Sequence, residues 1–201
     1  MKTLHAVYKA WDAAANVLKN LVENLISRIF HTHMESNLTL RDYVLAIIKL
    51  GSSRDGEFRY KTKIHKILFV LAQEFEELNN LRSDFIPYHF GPWSYEVEFT
   101  IKELMRLGLL EEKLDERDEI DGLQHTGHVY TYRLTRAGQV LAEDAVKKLS
   151  PKIKKRIKEL VKLNLWTLIG YVYVRYPEYA TRSVIADDEL VPRRREISST
   201  I

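Results

Sequence analysis

Two stretches, GPWSYEVEFTIKELMRLGLLEE at residues 91–112 and VYTYRLTRAGQVL at residues 129–141, carry the most structural information in this chain. In the first, Val97, Ile101, Leu104 and Met105 recur at helical spacing. The pattern halts at Gly108, a residue suited to the left-handed helix cap, and Leu109-Leu110 then begins a strand. In the second, Val129, Thr131 and Arg133 alternate with Tyr130, Tyr132 and Leu134, after which Thr135 caps a helix carrying Val140, Leu141, Ala145 and Leu149. The acidic, turn-rich segment between them supplies a hairpin. The order is therefore helix, glycine, strand, hairpin, strand, helix.

Upstream, Thr39-Leu40-Arg41-Asp42 has the form of a capping box and opens a helix whose apolar face is Leu40, Val44, Ile47 and Ile48, ending at Gly51. A second helix from near Lys61 buries Ile64, Ile67, Leu68, Leu71, Phe75 and Leu78. Residues 79–90 are irregular, with Phe85–Tyr88 extended because Pro87 biases Ile86 away from helix. Pro92 falls in the first turn of the third helix, where a missing N–H costs nothing. Ser150-Pro151 starts a further helix through Ile153, Ile157 and Leu160, and the nearly continuous apolar run 165–174 must be buried. Residues 1–33 read as an amphipathic helix, with Leu4, Trp11, Leu18 and Leu25 every seven residues. That helix either packs on its own domain or dimerises through Leu18 and Leu25. Residues 38–149 form the main domain, 150–185 add C-terminal helices packed on it, and 186–201 are expected to be a mobile tail.

This element order is that of a winged helix-turn-helix with N- and C-terminal helical extensions, a mainly α fold with a small β-hairpin wing (α+β). More narrowly, KTKIHKILFVLAQEF (61–75), YHFGPWS (88–94) and IKELMRLGLL (101–110) resemble the Panacea (SocA-like) and YwgA-like proteins. Those show a K-(I/L)-x-K-(I/L)-(L/V) helix, a (Y/F)-G-P-x-S turn and a following L-x-x-x-G-L. YVYVRYPEYATRSVI (171–185) is similar to YwgA-like C-termini. The resemblance spans roughly residues 60 to 185 and leaves the N-terminal helix outside it. It implies a winged-helix-like fold and a role in prokaryotic regulation, toxin–antitoxin systems or mobile-element biology, and it implies no enzymatic activity.

The bulk numbers are those of a globular protein: 45% hydrophobic and 29% charged residues in 201. No apolar run reaches the length of a membrane span, and the N-terminus lacks the order of a signal peptide, so a cytoplasmic location is expected. Zero cysteines exclude disulfides and thiolate ligands. Abundant Lys, Glu and Arg with only three Met suit a thermophile. The net charge of +3 indicates no partner by itself, so its distribution matters.

That distribution opposes the usual docking of a winged helix on DNA. The third helix offers Glu96, Glu98 and Glu103 against Lys102 and Arg106 outside its apolar stripe. The wing, EEKLDERDEID at 111–121, holds seven acids and two bases, and carboxylates near phosphates oppose binding. Positive charge concentrates instead in KKLSPKIKKRIKELVK at 147–162, with eight Lys or Arg and one Glu. Lys152, Lys154, Lys155, Lys158 and Lys162 spread over the outer surface of that helix, where they are either a solvated face or a phosphate-backbone patch.

Catalytic and metal sites find no support. His31/His33 and His125/His128 lack the further ligands a zinc site needs. No phosphate loop, nucleophile elbow, dinucleotide fingerprint or zinc-protease helix is present. Glu74, Glu76 and Glu77 sit on a surface helix with no spacing that pairs two as acid and base. Tyr88, His89 and Trp93 form an aromatic cluster around Gly91-Pro92, read as packing between helices or as a partner or ligand groove. The sequence thus points to a non-enzymatic, dimeric regulator needing no cofactor, held to double-stranded DNA through residues 147–162. The alternative is a protein-interaction module, an antitoxin-type adaptor using Tyr88 and Trp93.

Overall fold

The structure, a computed structural model, describes residues 38–117 and 127–185. The heptad helix with Leu18 and Leu25, the histidines at 31, 33 and 125, the tip of the wing and the tail from 186 lie outside the described residues. Helix α1 (Leu40–Gly51) opens on the expected capping box: the Asp42 N–H donates to Thr39 Oγ1 at 3.4 Å, and the Thr39 N–H to Asp42 Oδ2 at 2.8 Å. Gly51 ends it for a reason other than a left-handed cap. A Cβ there would fall 2.5 Å from the ring of Phe58, so glycine permits the next strand to pack close.

That strand, β1 (Glu57–Arg59), leads into α2 (Lys61–Glu74) through Tyr60, whose φ of +73° is unusual for a bulky residue. Helix α2 is shorter than its periodicity suggests. After Glu74 the chain tightens into a 3-10 turn (Glu76–Asp84), and Arg82 caps the α2 carbonyls, donating to Ala72 O at 2.6 Å and Gln73 O at 3.2 Å. Leu78 is buried as expected, but from this turn.

Gly91–Ser94 is not the first turn of a helix but a strand, β3, paired antiparallel with β2 (Phe85–Tyr88). Pro87 and Pro92 face each other across this hairpin, so the two missing N–H groups share one rung of the ladder. Ser94, not the proline, starts α3 (Tyr95–Arg106), accepting the Val97 N–H at 3.2 Å. Helix α3 ends as read. Gly108 has φ +67°, its N–H donates to Met105 O and the Leu109 N–H to Leu104 O, the two bonds of a Schellman cap.

Strands β4 (Leu110–Arg117) and β5 (Gly127–Leu134) form the expected hairpin, and β1 adds to its other side in the order β1-β5-β4, all antiparallel. Helix α4 (Arg136–Lys148) follows, capped by Thr135 and packed along α1. It buries Gly138, Ala142, Ala145 and Leu149, whereas Val140 and Leu141, expected inside, are exposed. Helices α5 (Pro151–Leu160) and α6 (Leu165–Arg175) complete the body, the first with its expected cap Ser150 and the second capped by Asn164, which the sequence reading did not single out. The described chain is thus mainly helical with small antiparallel sheets, an α+β fold whose core is centred on α1, α2 and α6. Among the described residues, no helix is long and apolar enough to cross a membrane.

Candidate functional site

Two surfaces stand out, and each is built by an amphipathic helix. On α5, Ile153, Ile157 and Leu160 are buried at 3- and 4-residue spacing, which turns Lys152, Lys155 and Lys158 outward and leaves Lys154 half-buried. Lys162, just beyond the helix, is exposed. Arg156 behaves differently. Its guanidinium holds Glu74 with two bonds of 2.8 Å and donates to the Tyr171 hydroxyl at 2.7 Å, bolting α5 to α2 and α6. The Glu74 carboxylate holds the Arg156 proton still more firmly than usual.

Of the five lysines, Lys155 alone lies near a carboxylate, 4.0 Å from Glu159. Among the described residues no carboxylate pairs with Lys152, Lys154, Lys158 or Lys162. Lys154, Lys155, Lys158 and Lys162, with Pro151 and Glu159, line one shallow depression of about 440 Å³. Four cations face one acid, which itself also serves Arg156 at 3.2 Å.

The second surface is the outer face of α3 and the hairpin before it. Tyr95 is 68% and Phe99 61% exposed, one turn apart, and Lys102 and Arg106 continue the stripe. Trp93 links this face to the hairpin, edge-on to Tyr95 at 4.4 Å and tilted to Tyr88 at 5.3 Å, while Tyr88 stacks on His89 at 4.2 Å. The cluster has two parts: Tyr88 and His89 are exposed, while Trp93 is half-buried between His65 of α2, at 5.5 Å, and Tyr95 of α3. The carboxylates counted against this helix are partly neutralised. Glu98 binds Lys61 at 3.1 Å and Lys102 at 3.4 Å, and Glu103 binds Arg41 at 2.9 Å, which leaves Glu96.

Beneath that face lie two residues that periodicity did not single out. Lys66 is fully buried and donates to the Pro92 carbonyl at 2.7 Å. Burial lowers its pKa to about 7. Its neighbour His65, also buried, accepts the Ser94 N–H on Nδ1 at 3.2 Å and lies under the Trp93 ring. Desolvation lowers its pKa to about 4, so it is neutral at pH 7 with Nε2 carrying the proton. That Nε2 is 3.9 Å from Glu98 Oε2, beyond a hydrogen bond, and has no partner among the described residues. Together, Lys66 and His65 pin the hairpin and the first turn of α3 to α2. One signal was available: Ile67–Ala72 is apolar on every side of α2, the mark of a helix enclosed all round.

Both side chains are buried, His65 and Lys66 each being 1% exposed. Lys61 sits between Glu98 and Glu112 and over the Tyr130 ring, and the Tyr132 hydroxyl donates to Glu112 at 2.6 Å. No group of three His, Asp or Glu among the described residues could hold a metal ion. No family model, curated protein or solved structure matches the chain.

Proposed function

We propose that the protein is a non-enzymatic winged-helix regulator of the prokaryotic cytoplasm that associates with double-stranded DNA through the lysine face of α5. The winged-helix reading is supported by the order α1-β1-α2-β2-β3-α3-β4-β5, in which the β2–β3 hairpin is inserted between the second and third helices, and by β1 pairing with β5. The observation that carries the DNA reading is the depression on α5, where Lys154, Lys155, Lys158 and Lys162 stand against a single carboxylate, Glu159. A row of cations without base-reading side chains suits phosphates and carries no sequence information. Glu111 and Glu112 on β4 disfavour a phosphate contact by the wing.

The test is duplex binding as a function of salt. Four phosphate contacts give a slope near −3.6 in log K against log salt, a loss of roughly a hundredfold between about 50 and 200 mM. Lys154→Glu/Lys155→Glu/Lys158→Glu is expected to abolish that binding. Absent or salt-insensitive binding would end this reading and favour the protein-interaction module, for which the exposed Tyr95 and Phe99 are the specific support. Dimerisation through the N-terminal heptads is proposed alongside: Leu18→Asp/Leu25→Asp should halve the mass in sedimentation equilibrium, and an unchanged mass would exclude that helix as the interface.

A further inference from the structure

Lys162 borders two depressions, not one. Besides that on α5, it lines a second of about 510 Å³ that opens against β1 and the start of α6. Arg59 and Lys63 share its rim, and Phe58, Leu163 and Leu165 contribute apolar walls. The Lys63 ammonium donates to the Val161 carbonyl at 2.7 Å, which fixes its charge at the junction of α2 with the end of α5. Arg59 is exposed on the rim, one residue before Tyr60, whose φ is +73°. Two carboxylates also border the site. Glu57 is held by Arg133 at 3.1 Å, and Asp55 stays exposed.

From this continuity we infer that a duplex seated on α5 runs on past Lys162, and that the second depression takes the adjoining sugar–phosphate segment of the same strand. Arg59 and Lys162, both exposed, meet phosphates there, beside the half-buried Leu163. The inference rests on the DNA-binding reading of α5 and extends its footprint onto β1.

Full-length protein and a fluorescently labelled duplex of mixed sequence provide the test, with affinity followed against salt. Arg59→Gln should reduce the slope by about 0.9, one phosphate contact, in addition to the reduction from Lys158→Gln. Asp55→Asn should tighten binding about threefold, since it removes a like charge from the track. Arg106→Gln, on α3, should change neither quantity. If the α5 variants flatten the salt dependence while Arg59→Gln and Asp55→Asn leave it untouched, the extension fails and the α5 reading stands. If duplex binding is absent, or falls with Arg106→Gln alone, both fail.

Discussion

Gly138→Ala is expected to destabilise the protein by about 3 kcal/mol, against the roughly 1 kcal/mol that alanine ordinarily gains over glycine within a helix. Gly138 lies in the first turn of α4 with ordinary helical backbone, so conformational freedom is not its purpose. Space is. A Cβ would fall on the carbonyl oxygen of Leu109 and 2.9 Å from its carbon, and both are backbone atoms that no rotamer change can move. That carbonyl accepts the Thr135 N–H at 3.1 Å, and the Thr135 hydroxyl donates to the Gly108 carbonyl at 2.8 Å. The end of α3, the start of β4 and the start of α4 therefore meet at one point, and a methyl group would pry all three apart. Thermal unfolding should move down by roughly 6–12 °C for a domain of this size. Ala137→Gly, one residue earlier and exposed, should cost only about 1 kcal/mol. A Gly138→Ala protein as stable as the parent would show that α4 does not seat on Leu109 as described.

The same junction shows what local sequence can and cannot specify. Thr39, Ser150, Thr135 and Gly108 announce helix ends because a cap is a contract between residues three or four apart. The lysine face of α5 was equally readable, since three buried apolar positions settle where the rest must point. Arg156 was not, because its partner Glu74 lies 82 residues away. Pro92 misled for a related reason. Its ring fits a first helical turn or a strand rung facing another proline, and only pairing with residues 85–88 decides between them. Val140 and Leu141 match the helical period of a core face, yet α4 meets α1 through its small residues, so the larger ones remain outside.

Lys66→Met is expected to reverse its effect on stability with pH. In the unfolded chain the amine titrates near 10.5, and in the folded protein near 7. Because the folded pKa is the lower one, the unfolded state takes up the proton first as pH falls. Wild-type stability from this group is thus present above pH 10.5 and is lost progressively down to pH 7, below which the penalty is complete. Its full size is on the order of 5 kcal/mol. Methionine of similar length removes the penalty but leaves the buried Pro92 carbonyl without its donor, at a cost of about 1–3 kcal/mol. At pH 10 the variant should therefore be the less stable protein, and near pH 7 it should match or exceed the parent. Urea unfolding at a series of pH values, with the fitted free energies subtracted, reads this directly. The difference should change through pH 10 to 7 and level off below. His65 acts in a separate window: its folded value of about 4 against 6.5 makes both proteins lose stability between pH 6.5 and 4. A difference that stayed flat from pH 10 to 7 would mean that the Lys66 amine is not enclosed beneath the hairpin, and that the Tyr88–Trp93–Tyr95 face is not held from below.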